Sequence, residues 1–160
     1  MSGICADAQS RILDVLTRCS PPSSFPRLQP LELLMRVLIV DDHECFRAGV
    51  RTALQSRPGI EVCGEAENGL EGLHKVLQLK PDLVILDITM PVLDGFSTAR
   101  EVSKRVPSAA ILLLSMHESA SLINIAKSSG ASGYVAKSQA ISVLLSAVDT
   151  IAQNRTFFAD

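Results

Sequence analysis

Leu83-Val84-Ile85-Leu86-Asp87 sets four consecutive apolar residues against an acid. A strand with one solvated face alternates apolar and polar residues, whereas a strand buried on both faces reads as an unbroken apolar run. The stretch therefore predicts a central strand of a parallel sheet, covered on each side. Upstream, Val37–Val40 predicts a short strand and Glu44–Gln55 a helix with Phe46, Val50 and Leu54 on one face. Ile60–Ala66 reads as a second strand and Leu70–Leu79 as a helix carrying Leu70, Leu73, Val76 and Leu77. Downstream follow a helix over Phe96–Arg105, a strand over Ala110–Leu114, a helix over Ala120–Ser128 and a short strand over Gly133–Ala136. Ala140–Ala152 closes the series as a helix with Val143, Leu144, Ala147, Val148 and Ile151 inside. Five strands alternating with five helices imply a doubly wound α/β fold, a five-stranded parallel sheet with helices on both faces.

The flanks carry less information. Ile12, Val15, Leu16 and Cys19 recur at i, i+3, i+4 and i+7, which suggests a short amphipathic helix; a weakly ordered extension without its own core is expected ahead of a docking element. Ser20–Pro30 is rich in Pro and Ser and reads as a linker. The expected organisation is an N-terminal extension over 1–34, one domain over 35–153 and a short stub over 154–160. Met35 is a second candidate start, because it opens directly into a strand.

Composition narrows the function classes. Of 160 residues, 47% are hydrophobic and 20% charged, the balance of a globular protein. The net charge of −2 and the lack of a basic block give no electrostatic pull toward nucleic acid or anionic lipid. Cys5, Cys19, Cys45 and Cys63 form no C-x-x-C pair and no zinc-ligand spacing, so reduced thiols in a cytoplasmic protein are expected, with Cys63 in the core. Apolar runs such as Ala109–Leu114 have strand length and cannot span a membrane. Nothing in Met1–Leu34 has the pattern of a secretory signal.

The chemistry lies where the expected strands end. Strand one runs into Asp41-Asp42, strand three into Asp87, strand four into Ser115 and strand five into Lys137. Ligands of open parallel sheets bind outside the carboxyl ends of the strands, so these residues should converge on one crevice. Three carboxylates gathered there repel one another unless a cation neutralises them. Mg²⁺ suits them, since it takes oxygen ligands in a tight octahedron and retains several waters. One carboxylate could then attack phosphorus and become an acyl phosphate, with Lys137 and the Ser115 hydroxyl holding phosphoryl oxygens. Singly, an acid at a strand end is more often a cap or a solvated loop residue; the combination is what carries the reading. Asp94-Gly95 reads as a turn opening a helix, and His43, His74 and His117 as exposed residues.

These segments resemble the two-component response-regulator receiver family, of CheY-like fold. The matching blocks are Val37-Leu38-Ile39-Val40-Asp41-Asp42-His43, Asp87-Ile88-Thr89-Met90-Pro91-Val92-Leu93-Asp94-Gly95, Leu114-Ser115 and Gly130-Ala131-Ser132-Gly133-Tyr134-Val135-Ala136-Lys137. Asp-Asp-His and Gly-Ala-x-Gly-Tyr are most similar to the NarL/FixJ subgroup, usually joined to a LuxR-type helix-turn-helix. The resemblance implies a flavodoxin-like strand order 2-1-3-4-5. It implies that Asp87 is phosphorylated, that Asp42 and Asp87 bind Mg²⁺ directly and Asp41 through water, and that the Thr89 backbone carbonyl is a further ligand. It implies that Lys137 bonds a phosphoryl oxygen, that Ser115 and Tyr134 form a switch pair, and that Thr89 and His117 tune hydrolysis. Ser138 stands where several subgroups carry proline, which this subgroup often lacks. The implied donor is a sensor histidine kinase or a phosphotransfer protein, and the implied output a switched surface for an effector protein of unknown identity. A homodimer through receiver faces is a further expectation.

Three rival readings are weaker. A haloacid-dehalogenase-type phosphatase needs an acid two residues after its nucleophile, where this chain has Thr89. A flavin carrier needs a hydroxyl- and glycine-rich loop after strand one, where Asp41-Asp42 would repel phosphate. A DNA-binding regulator needs an output domain, yet only eight residues follow Ala152, and Arg155-Thr156-Phe157-Phe158 resembles the beginning of a linker. The expectation is a phosphoacceptor that assists its own phosphorylation and dephosphorylation rather than a turnover enzyme. A truncated LuxR-type regulator acting through a partner is the alternative, with no direct contact to DNA or membrane.

Overall fold

The computed structural model describes residues 34–117, 119–139 and 141–158. The helix and linker expected in the first thirty-three residues, with Cys5 and Cys19, lie outside the described residues, as does Ala140. The elements run β1 (Met35–Val40), α1 (Glu44–Gln55), β2 (Ile60–Ala66), α2 (Gly69–Leu79), β3 (Leu83–Asp87) and α3 (Gly95–Arg105). They continue with β4 (Ala110–Ser115), α4 (Ala120–Ser128), β5 (Gly133–Ala136), α5 (Ile141–Ala152) and β6 (Phe157–Phe158). All strands are parallel, in the order β2-β1-β3-β4-β5-β6.

Among the described residues the sheet thus has six strands, which corrects the five expected. The residues taken for the start of a linker are the sixth. Asn154 takes the left-handed conformation, φ 57°, just beyond α5 and turns the chain back. Phe157 N–H then donates to the Ser132 carbonyl at 2.9 Å, and Phe157 and Phe158 pair with Gly133 and Tyr134. Gly133 permits the approach, since a Cβ there would lie 2.8 Å from the Phe157 carbonyl oxygen. The two rings go to opposite faces, Phe157 to one side of the core and Phe158 to the other. Partial burial of both rings and closure of the β5 edge account for a strand too short to show any period in sequence.

Strand alternation divides the core in two. Val37, Ile39, Leu83, Ile85, Leu112, Leu114 and Val135 face α1 and α5, which contribute Val50, Leu54, Leu144, Ala147, Val148 and Ile151. Leu38, Val40, Val84, Leu86, Ile111, Leu113 and Tyr134 face α2, α3 and α4, which contribute Leu73, Val76, Ala99, Val102 and Ala126. The buried run that decided the fold is confirmed: every residue of β3 is buried.

Helix α2 departs from the expected face. Leu70 is 56% exposed and Leu77 38%, while Gly69, Gly72, Leu73 and Val76 are buried. The glycines set this rotation: a Cβ on Gly72 would meet Val40 Cγ1 at 2.8 Å, and one on Gly69 the Leu93 carbonyl at 2.3 Å. Asn68 and Asp94 accept backbone N–H bonds from Glu71 and Ser97, capping α2 and α3. With all strands parallel, their carboxyl ends lie along one edge of the sheet.

Candidate functional site

At that edge β1 delivers Asp41 directly into the interior. Its N–H continues the pairing with β2 by donating to the Ala66 carbonyl at 3.0 Å, and its side chain is wholly buried. The Asp41 Oδ1 accepts the His43 N–H at 2.9 Å, an Asx-type bond that shapes the loop and leaves Asp42 about one-third exposed. Asp87 and Ser115 are the last residues of β3 and β4, both buried. Lys137 follows β5, with its N–H donating to the Ser115 carbonyl at 2.6 Å.

Lys137 draws these segments together. Its ammonium, on a side chain only 5% exposed, is 2.6 Å from Asp41 Oδ2 and 2.9 Å from Asp87 Oδ2. Asp41 Oδ2 nevertheless lacks a partner at hydrogen-bond angles, so its contact with the ammonium is one of charge, not an aligned bond. Asp87 Oδ1 accepts a long bond, 3.4 Å, from the Thr89 N–H. Ligand atoms of Asp41, Asp42, His43 and Asp87 all lie within 4.8 Å of one another. Burial raises the Asp87 carboxyl above its ordinary value; the Lys137 ammonium opposes the rise and Asp41 adds to it.

The donor set fits a hard divalent cation. Three carboxylates cluster there, two of them against one buried ammonium, and one buried carboxylate oxygen has no aligned donor. Oxygen ligands in that number suit Mg²⁺. His43 stays 65% exposed, as expected, yet its Nδ1 is 2.8 Å from Asp42 Oδ1 and 3.3 Å from Asp41 Oδ1, closer to the acids than its reading as a plain loop residue allowed.

Ser115 and Tyr134 are engaged elsewhere. The Ser115 hydroxyl oxygen accepts the His117 N–H at 3.1 Å, and the Tyr134 hydroxyl donates to the His117 carbonyl. Tyr134 is 2% exposed, a fully buried ring. Both side chains therefore grip the start of the loop after β4 at one residue.

Two neighbours were not read as part of the site, Arg47 not at all and Phe46 only as a core residue of its helix. Arg47 donates through Nη1 to the Asp41 carbonyl at 2.6 Å, and its Nε is 3.5 Å from Glu65, which also pairs with Arg51 at 2.5 Å. The Phe46 ring lies under the Lys137 ammonium, 4.7 Å from centroid to Nζ. The available signal was spacing: positions 43, 46 and 47 share one side of a helix that starts at the sheet's carboxyl edge. A cavity of about 600 Å³ lies at the opposite edge, lined by Met35, Gly59, Asp82 and Ala110 among others. It gathers no comparable set of acids, and the chemistry of the carboxylate pocket outweighs its size.

A family model described as the response regulator receiver domain matches residues 37–149. The transcriptional regulatory protein DegU of Brevibacillus brevis is 33% identical over 123 residues, 77% of this chain and 52% of that protein. The chain spans about half the length of such curated relatives. Among solved structures, a LuxR-family two-component response regulator from an Aurantimonas species aligns with TM-score 0.74 at 34% identity, over 76% of this chain and 87% of that one. The signal receiver domain of the NarL response regulator from Mycobacterium tuberculosis aligns with TM-score 0.72 at 33% identity, over 76% and 98%.

Proposed function

Because the chain belongs to the response regulator receiver domain family, in two-component signalling, we propose that it accepts a phosphoryl group on Asp87 and uses the acyl phosphate to switch a protein-binding surface. The observation that carries this reading is the Lys137 ammonium held between Asp41 and Asp87, at 2.6 and 2.9 Å, on the edge where the strands end.

The donor is a phosphohistidine on a sensor kinase or phosphotransfer protein. An Asp87 carboxylate oxygen bonds to phosphorus, the P–N bond breaks, and the leaving imidazole retains that electron pair and takes up a proton. Mg²⁺, held by Asp42, Asp87 and the Thr89 backbone carbonyl with Asp41 behind a water, would neutralise the acids and the incoming phosphoryl oxygens. Lys137 then exchanges its contact with the Asp87 carboxylate for a phosphoryl oxygen. The Ser115 hydroxyl exchanges the His117 N–H for another. That exchange releases one of the two grips on the loop after β4 and leaves it hinged on the other, the Tyr134 hydroxyl bound to the His117 carbonyl. The loop and its surface are the two-state element that the phosphoryl charge biases. A coupling of about 1–3 kcal/mol shifts its population roughly five- to 150-fold.

The receiver unit is assigned to residues 35–153, with β6 laid along its edge. Incubation with Mg²⁺ and acetyl phosphate, followed by intact-mass spectrometry, tests the reading. The parent should gain one phosphoryl mass, labile to hydroxylamine, and Asp87→Asn none; an adduct retained in the variant would reject Asp87 as the acceptor.

A further inference from the structure

We propose that Phe46 is a positioning residue for Lys137, its ring holding the ammonium where a phosphoryl oxygen is to be met. This rests on the role assigned to Lys137 above. The lysine side chain is only 5% exposed, and its ammonium lies among three groups: Asp41 Oδ2 at 2.6 Å, Asp87 Oδ2 at 2.9 Å and the Phe46 ring centroid at 4.7 Å. The two carboxylates change charge or partners during phosphoryl transfer. The ring does not.

An ammonium bound only by acids would follow whichever acid kept its charge, and one in water would sample many rotamers. An aromatic face supplies a fixed negative surface that cannot be protonated, phosphorylated or coordinated to a metal, and it keeps water off that side of the cation. Helix α1 makes the placement firm: Val50 and Leu54, farther along α1, are wholly buried against β1 and β3, and Phe46 packs at the border of the same core. Arg47, the next residue, ties that turn to the Asp41 carbonyl. The ring therefore belongs to the rigid part of the pocket and keeps the Lys137 ammonium in place while its acidic partners are exchanged.

Phe46 could instead be plain core filling. Leucine would preserve that role and remove the aromatic face; tryptophan would preserve the face. Phosphorylation rates with acetyl phosphate and Mg²⁺ should fall about two- to thirty-fold in Phe46→Leu, the span of a partly to fully desolvated cation–π contact, and recover in Phe46→Trp. In parallel, the Lys137 Cε protons should show an upfield ring-current shift in the parent and in Phe46→Trp, lost in Phe46→Leu. That spectroscopic arm needs no phosphoryl chemistry. Absence of any adduct in the parent would sink the phosphoacceptor reading and with it the purpose given to Phe46, whatever the spectrum. A leucine variant that reacts at the parent rate, or unshifted Lys137 protons in the parent, would overturn the positioning role alone.

Discussion

Asp87 has a cost that follows from where it sits. It is 1% exposed, burial raises its pKa, and only part of the rise is offset by Lys137. The folded protein therefore takes up this proton at a higher pH than the unfolded chain does. Stability from Asp87 is full below the ordinary carboxylate pKa of about 4. It is lost as pH rises through the raised folded value, because there the folded state binds more protons. In magnesium-free buffer Asp87→Asn should accordingly be more stable than the parent at pH 7, with the gap closing toward acid pH. Denaturant titrations at both ends of that range would check it; a variant equally destabilised at every pH would contradict it. At this scale the sequence disclosed which residues are chemically able: two acids, a third acid, a hydroxyl and a lysine at strand ends. It did not disclose Phe46, Arg47 or the closeness of His43, since those depend on the direction in which α1 leaves the sheet.

The elements hold those residues through close backbone approach. Gly95 opens α3 beside the end of β3, where a Cβ would lie 2.2 Å from the Asp87 carbonyl oxygen and 2.7 Å from Ile88 Cα. Those atoms are main chain and cannot swing aside. Gly95→Ala should cost about 1–3 kcal/mol, the range for overpacking, and should slow phosphorylation by displacing Asp87. Chemical denaturation and adduct formation measured together would check both, and an alanine variant matching the parent in each would refute the contact. Sequence reading took Gly95 for part of a turn, which is correct for the capped start of α3 but silent about what the glycine touches. The same limit explains α2, where apolar spacing favoured Leu70 and Leu77 but Gly69 and Gly72 fix the inner face. The βα alternation was legible because each element spans enough residues to show its period. β6 was not, because two residues show none and their burial depends on Gly133.

For the molecule as a whole, one edge of the sheet gathers the acids and the lysine while the two packed faces bury the core. The acids are mutually repulsive there, so a divalent cation should stabilise the fold as well as assist the reaction. At roughly ten times its dissociation constant, Mg²⁺ should add about 1.4 kcal/mol. For a domain of this size that is a rise in Tm of about 4–7 °C. Thermal unfolding with Mg²⁺ and then with chelator should show the rise and its reversal, and Asp42→Asn should abolish most of it. An equal rise in that variant would place the ion elsewhere.

On the function proposed here, one carboxylate, assembled into this pocket by four distant segments, becomes a mixed anhydride. Borohydride reduces an acyl phosphate but not a free carboxylate, and so converts a phosphorylated aspartate to homoserine. After exposure to acetyl phosphate and Mg²⁺, peptide mapping of the reduced protein should find homoserine at residue 87 and at no other aspartate. Homoserine at another aspartate, or none in protein shown to carry the phosphoryl mass, would contradict it.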